Sequence, residues 1–145
     1  MKKLFITSAL MLGLITATFA NTDNLYKFRI AETFKKQFPT ATDITAKKVG
    51  ELTKISFTYN NIATDAFYNA EDELVVTSHP VDLNTLPSGS LEKINSKYQG
   101  ATITEAIEFN DLDENTSCYY LSLNKDNRRI ILQVNGNGSI SEKKR

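Results

Sequence analysis

Four stretches of this chain alternate between apolar and polar residues with a period of two. That pattern constrains the fold most, because it demands strands of a sheet with one covered and one open face. Ile55, Phe57 and Tyr59 point to one side, while Lys54, Ser56 and Thr58 point to the other. Ala66 and Tyr68 continue the inner side. Further on, Tyr119, Leu121 and Leu123 take the inward role and leave Cys118, Tyr120 and Ser122 outward. Ile130, Leu132 and Val134 then extend the inner face. Ala70-Glu71-Asp72 and Asn135-Gly136-Asn137-Gly138 mark hairpins, since Asn-Gly pairs suit tight reversals.

Two helical patterns precede these strands. In the first, Asp23 or Asn24 caps a stripe of Leu25, Phe28, Ala31, Phe34 and Phe38, and Pro39 helps to end it. In the second, Pro87 suits a first helical turn, Leu91, Ile94 and Tyr98 form the stripe, and Gly100 is the stop. The two halves also echo each other. Gln37-Phe38-Pro39-Thr40-Ala41-Thr42 has a counterpart in Lys97-Tyr98-Gln99-Gly100-Ala101-Thr102, Phe57-Thr58-Tyr59-Asn60 in Leu121-Ser122-Leu123-Asn124, and Tyr68-Asn69-Ala70-Glu71 in Val134-Asn135-Gly136-Asn137. The expected fold is therefore α+β: two helix-plus-antiparallel-strand repeats, about 23–79 and 84–145, whose helices cover one face of an antiparallel β-sheet.

The amino terminus sets the compartment. Met1-Lys2-Lys3 is basic, Leu4 to Ala17 is almost wholly apolar, and small residues Thr18 and Ala20 precede Asn21, which is the three-part pattern of a secretory signal cleaved after Ala20. The apolar run is shorter than the roughly 20 residues that a span requires, so a free periplasmic or secreted domain without a membrane anchor is expected. Without Lys2 and Lys3, the basic residues fall two short of the 17 acidic ones. Such a balance offers no field for nucleic acid. Positive charge does gather late in the chain, at Lys125, Arg128, Arg129 and Lys143 to Arg145.

Chemistry-bearing residues are sparse. Cys118 is the single cysteine, which precludes an internal disulfide, and His79 is the single histidine, placed before Pro80 in a connecting segment. Neither a Ser-His-Asp arrangement nor metal-ligand spacing is visible, so the chain reads as non-enzymatic, with no cofactor and no metal. Asp111-Leu112-Asp113-Glu114-Asn115 concentrates oxygen ligands but lacks the spacing and central Gly of an EF-hand loop, and reads as a solvated hairpin.

The signal, then Phe34-Lys35-Lys36-Gln37-Phe38-Pro39-Thr40-Ala41 and Ala66-Phe67-Tyr68-Asn69-Ala70-Glu71-Asp72-Glu73-Leu74, resembles the opening half of PepSY-like secreted bacterial proteins. Leu86-Pro87, Ile94-Asn95-Ser96-Lys97-Tyr98-Gln99-Gly100-Ala101 and Cys118-Tyr119-Tyr120-Leu121-Ser122-Leu123 resemble its closing half. That family is similar in fold to the beta-lactamase inhibitor protein, in which two helix-plus-sheet repeats present a sheet face to an enzyme. The resemblance implies a periplasmic binding or inhibitor-like module with no enzymatic activity or cofactor. Members often carry a Trp in the strand after the Phe-Pro motif, whereas Ile44-Thr45-Ala46-Lys47-Lys48 has none.

These readings converge on the outward sheet face, where Tyr120, Cys118, Phe67, Ile131 and Lys54 are the candidate binding residues. An exposed aromatic patch of that kind marks a binding surface. The partner expected is a protein in the periplasm or outside the cell, with inhibition of a secreted enzyme as one possible consequence. The alternative is a carrier of a small apolar ligand, or an envelope-assembly factor, using the same surface.

Overall fold

The computed structural model describes residues 30–143. The signal reading, the cleavage after Ala20 and the early part of the first helical stripe, Leu25 and Phe28, lie outside the described residues. In chain order the elements are α1 (Ala31–Gln37), β1 (Thr42–Val49), β2 (Leu52–Tyr59), β3 (Ile62–Tyr68), β4 (Leu74–Pro80), a short 3-10 turn (Leu83–Thr85), α2 (Ser90–Lys97), β5 (Thr102–Asp111), β6 (Thr116–Lys125), β7 (Arg128–Asn135) and β8 (Ile140–Lys143). The chain divides into two compact units, one up to Val75 and one from Val76 onward.

This corrects the α+β expectation of two helix-plus-strand repeats with helices covering one face. Among the described residues the architecture is one eight-stranded antiparallel sheet with its strands in chain order, and the two α-helices hold only seven and eight residues. A helix of that length is about 10–12 Å long, against about 26–34 Å for strands of eight to ten residues. Each helix can therefore overlie only part of the strands beside it. Periodicity marks which residues share a helical face but not how far the helix runs.

Local chemistry accounts for the ends. Phe38 precedes Pro39, and the proline ring pushes the preceding residue out of the helical region. Phe38 accordingly sits at φ −129°, ψ 67°, its N–H donating to the Phe34 carbonyl as the last helical bond. Pro87 does not open α2 as expected. Its carbonyl accepts the Ser90 N–H at 3.0 Å, and Gly89, at φ 75°, turns the chain into the helix three residues later.

In the first unit, β1 pairs with β2 and β2 with β3, all antiparallel. Phe34 from α1 meets Ile55, Phe57, Ala66 and Tyr68 from the strands, with Phe38 and Tyr59 packed at the margin. The Phe34 ring stands edge-on to Phe57 at 4.8 Å, and Phe38 does the same to Tyr59 at 5.3 Å. Edge-to-face contacts of this kind add to what burial alone contributes. The Tyr68 hydroxyl donates to Gln37 Oε1 at 2.6 Å, giving its buried phenol a partner.

In the second unit, β4 pairs with β5, β5 with β6, β6 with β7 and β7 with β8. Ile94 and Tyr98 of α2 pack with Leu86, Ala106, Leu121, Leu123, Leu132 and Val134. The inner positions read from alternation are thus the core positions in both units. Among the hairpins without a sequence reading are Asn60-Asn61 between β2 and β3 and Asp126-Asn127 between β6 and β7. All four of these residues have positive φ, as two-residue type I′ turns require, and Asn and Asp tolerate it better than other non-glycine residues.

Candidate functional site

The candidate binding residues fall in both units. In the first, Lys54 on β2 lies opposite Phe67 on β3, both on the side of the sheet away from α1. The expected openness is absent there, since Phe67 is 1% exposed and Lys54 only 7%. Burying a lysine is costly unless its charge is paired, and Asp65 supplies the pair, its Oδ2 lying 2.5 Å from Lys54 Nζ. Ser56 donates to the other carboxylate oxygen, and the Lys54 ammonium lies 5.8 Å from the centre of the Phe67 ring. This is a satisfied polar cluster, and it corrects the expectation that Lys54 stands on an open face.

In the second unit, Cys118 and Tyr120 on β6 and Ile131 on β7 share the outward face. Tyr120 lies between Ile107 and Gln133 in register, and Ser122 opposite Ile131. Alternation therefore assigned their side correctly, but Tyr120 is 6% exposed, while Cys118 and Ile131 are half-buried. Neighbours on the same face pack against Tyr120. The Phe109 ring meets Tyr120 edge-on at 5.2 Å, Ile107 and Phe109 are themselves buried, and the Tyr120 hydroxyl reaches Gln133 Oε1 at 3.3 Å. Burial raises the Tyr120 phenol above its ordinary range. β5 carried the missed signal: Ala106 turns inward to the core while the larger Ile107 and Phe109 turn outward, so this strand is covered on both faces.

Burial, then the neighbouring Asp111 carboxylate, pushes the Cys118 thiol up. A thiol so placed stays protonated near neutral pH and is a poor nucleophile. His79 is not in a connecting segment but on β4, directly opposite Glu108 of β5, with Nε2 3.5 Å from Glu108 Oε2. Glu108 is in turn opposite Tyr119, whose phenol is raised by burial and by its hydrogen bond to that carboxylate. The three polar groups form a row across β4, β5 and β6. Asp111 is likewise engaged, its Oδ1 accepting the backbone N–H groups of Asp113 and Glu114 and so shaping the β5–β6 turn. Among the described residues, no group of three or more His, Cys, Asp or Glu side chains is placed to hold a metal ion.

Near the β6–β7 turn the outward face opens into a pocket of about 350 Å³, lined by Thr104, Glu105, Leu123, Asn124, Asn127 and Arg129. A register irregularity between Ile103 and Glu105 shapes it, since bulges re-aim side chains. Arg129 Nη2 donates to Ser122 Oγ at 2.8 Å and approaches Glu105 Oε2 at 3.5 Å, and the Ser122 hydroxyl donates to the same carboxylate oxygen at 3.3 Å. No sequence motif announces this cluster. Three residues from three strands meet only because the register places them together.

No family model matches the chain, and no curated protein matches it. Solved structures do. A protein of Bacteroides eggerthii conjectured to be periplasmic matches with a TM-score of 0.71 at 14% identity, over 79% of this chain and 85% of the other. A BLIP-like protein of Bacteroides fragilis matches at 0.65 and 18% identity, over 79% and 82% of the two chains. A DUF2874 family protein of Bacteroides uniformis matches at 0.69 and 14% identity, over 83% and 86%. At these identities the likeness is one of fold. It agrees with the expected similarity to the beta-lactamase inhibitor protein and carries nothing specific to PepSY-like proteins. Among the described residues, no helix is long and apolar enough to cross a membrane.

Proposed function

We propose that this chain is a periplasmic, non-enzymatic protein-binding module, and that the outward face of β5, β6 and β7 is its contact surface. The observation that carries the reading is the make-up of that face. Phe109 and Tyr120, both buried, are locked edge to face as its rigid support, half-buried Cys118 and Ile131 stand on the same face, and Gln133, Glu105 and Arg129 supply polar groups around them. An apolar, rigid centre with a hydrogen-bonded polar margin is the anatomy of protein interfaces. Fold likeness to a BLIP-like protein and to a conjectured periplasmic protein supports the same reading, as does the secretory pattern at residues 1–20. An apolar-ligand carrier is supported less well, because the pocket on this face is lined mainly by polar side chains.

Site-specific photocrosslinking tests the reading. A benzophenone side chain at Ile131, half-buried on the outward face, should yield a discrete crosslinked protein in the periplasm, whereas one at Ile62, 44% exposed in the first unit, should not. Equal crosslinking at both positions, or none at Ile131, would refute it. Should the crosslinked partner prove to be an enzyme, assaying it with and without the module tests the narrower proposal of inhibition.

A further inference from the structure

We propose that the Arg129 pocket is a recognition site for one acidic side chain of a protein partner. This rests on the protein-binding reading above and goes further by naming the chemistry of the contact. A guanidinium has five N–H donors in a rigid fork suited to binding a carboxylate through two of them. Among the described residues the hydrogen bonds of Arg129 run from Nη2, to Ser122 Oγ and Glu105 Oε2, so the group is held in place while Nε and Nη1 keep their donors for a ligand. The fork is pre-oriented without being used up.

The surroundings select the ligand. Asn124 and Asn127 line the pocket with amide donors, whereas the Thr104 hydroxyl spends its proton on the Ser122 carbonyl at 3.1 Å and serves as wall. No aromatic lines the pocket, which leaves nothing to stack on a sugar ring or an apolar ligand. Glu105 stands at the limit of contact with Arg129, and both side chains are about one-third exposed, so the pairing offsets the positive charge only weakly. A dianion such as a phosphate monoester would meet that carboxylate with a single cation to balance it, and a monoanion fits better. Lys125 and Arg128 stand opposite each other on the other face of the sheet, so among the lining residues Arg129 is the cation that meets an incoming acidic group.

The probe is the N-acetylated, C-amidated tripeptide Gly-Glu-Gly, titrated into the chain lacking residues 1–20 and followed by heteronuclear NMR. Its Gly-Gln-Gly counterpart is the neutral control. The glutamate peptide should give saturable shifts at the Arg129 side-chain Nε–H and at the Asn124 and Asn127 amides, and should bind at least about tenfold more tightly than the glutamine peptide. Arg129→Gln should abolish that preference, and Arg129→Lys, which keeps the charge but not the fork, should weaken it several-fold. Arg128→Gln should change it by less than about twofold. Spectra of each variant that retain wild-type dispersion exclude unfolding as the cause. Equal binding of the two peptides, or equal losses from Arg128→Gln and Arg129→Gln, would overturn the site in favour of a diffuse basic surface. The peptide titration needs no partner. Failed titrations with intact Ile131 crosslinks refute the pocket alone, and selective titrations without crosslinks refute the binding reading and leave a carboxylate site.

Discussion

Replacing Lys54 by alanine separates a reading by alternation from a reading by structure. As a solvated outward residue, Lys54 could be truncated at a cost within about 0.5 kcal/mol. In the structure its side chain is 9% exposed and that of its partner Asp65 17%, so truncation strands a carboxylate with little water around it. Breaking a buried ion pair costs about 3–5 kcal/mol. The remaining exposure of Asp65 and the hydrogen bond it keeps from Ser56 reduce this to about 2–4 kcal/mol. Part of the loss is the buried aliphatic stem of Lys54, which stands opposite Phe67 in register, so Lys54→Met should recover about 1 kcal/mol. With a slope of about 1.5 kcal/mol per molar urea, a 3 kcal/mol loss moves the midpoint by about 2 M. Asp65→Ala and the double variant complete a cycle, in which the coupling should be about 1–3 kcal/mol. An unchanged midpoint for Lys54→Ala, or coupling below about 0.5 kcal/mol, would show that the pair is solvated and the reasoning wrong.

Cavity formation should cost about 3–5 kcal/mol in Phe57→Ala and about 2–5 kcal/mol in Leu121→Ala, read as urea midpoints, because both side chains are at least 96% buried in their own unit's core. Tyr120→Ala should cost about 3–5 kcal/mol through loss of the ring against Phe109, while Tyr120→Phe, which deletes only the long bond to Gln133, should cost about 0.5–1.5 kcal/mol; equal losses would assign the energy to the hydroxyl. Tyr68 and Tyr120 both have phenols raised by burial, so above about pH 10 the unfolded chain ionises first and the folded state binds more protons. Stability from these groups is therefore complete below about pH 10 and falls above it by up to about 1.4 kcal/mol per pH unit for each, and Tyr68→Phe should flatten the fall of melting temperature with pH above about 10. Iodoacetamide should label Cys118 more slowly at neutral pH than it labels a free cysteine, because the raised pKa lowers the thiolate fraction, and labelling at the free-cysteine rate would contradict the placement.

How much of this was legible depends on how far each property reaches along the chain. Alternation is local, so the sequence alone determined that Ile55, Phe57, Leu121 and Leu132 face the core and that Lys54 and Tyr120 face away from it. Proline geometry is also local, so Phe38-Pro39 ended α1 where expected. Helix extent was not legible in this way, and among the described residues two short helices beside an eight-stranded sheet replaced the expected covering layer. The site was less legible still. Whether an outward side chain meets water is decided by its neighbours on adjacent strands, which lie 17 residues away for Ser122 and Glu105 and 9 for Ser56 and Asp65. Only tertiary structure sets that register, and with it the burial of Tyr120 against Phe109, the pairing of Lys54 with Asp65 and the gathering of Arg129, Ser122 and Glu105 at one pocket. A period of two tells a side chain which face to take, but a face becomes covered or open through contacts that a single strand does not contain.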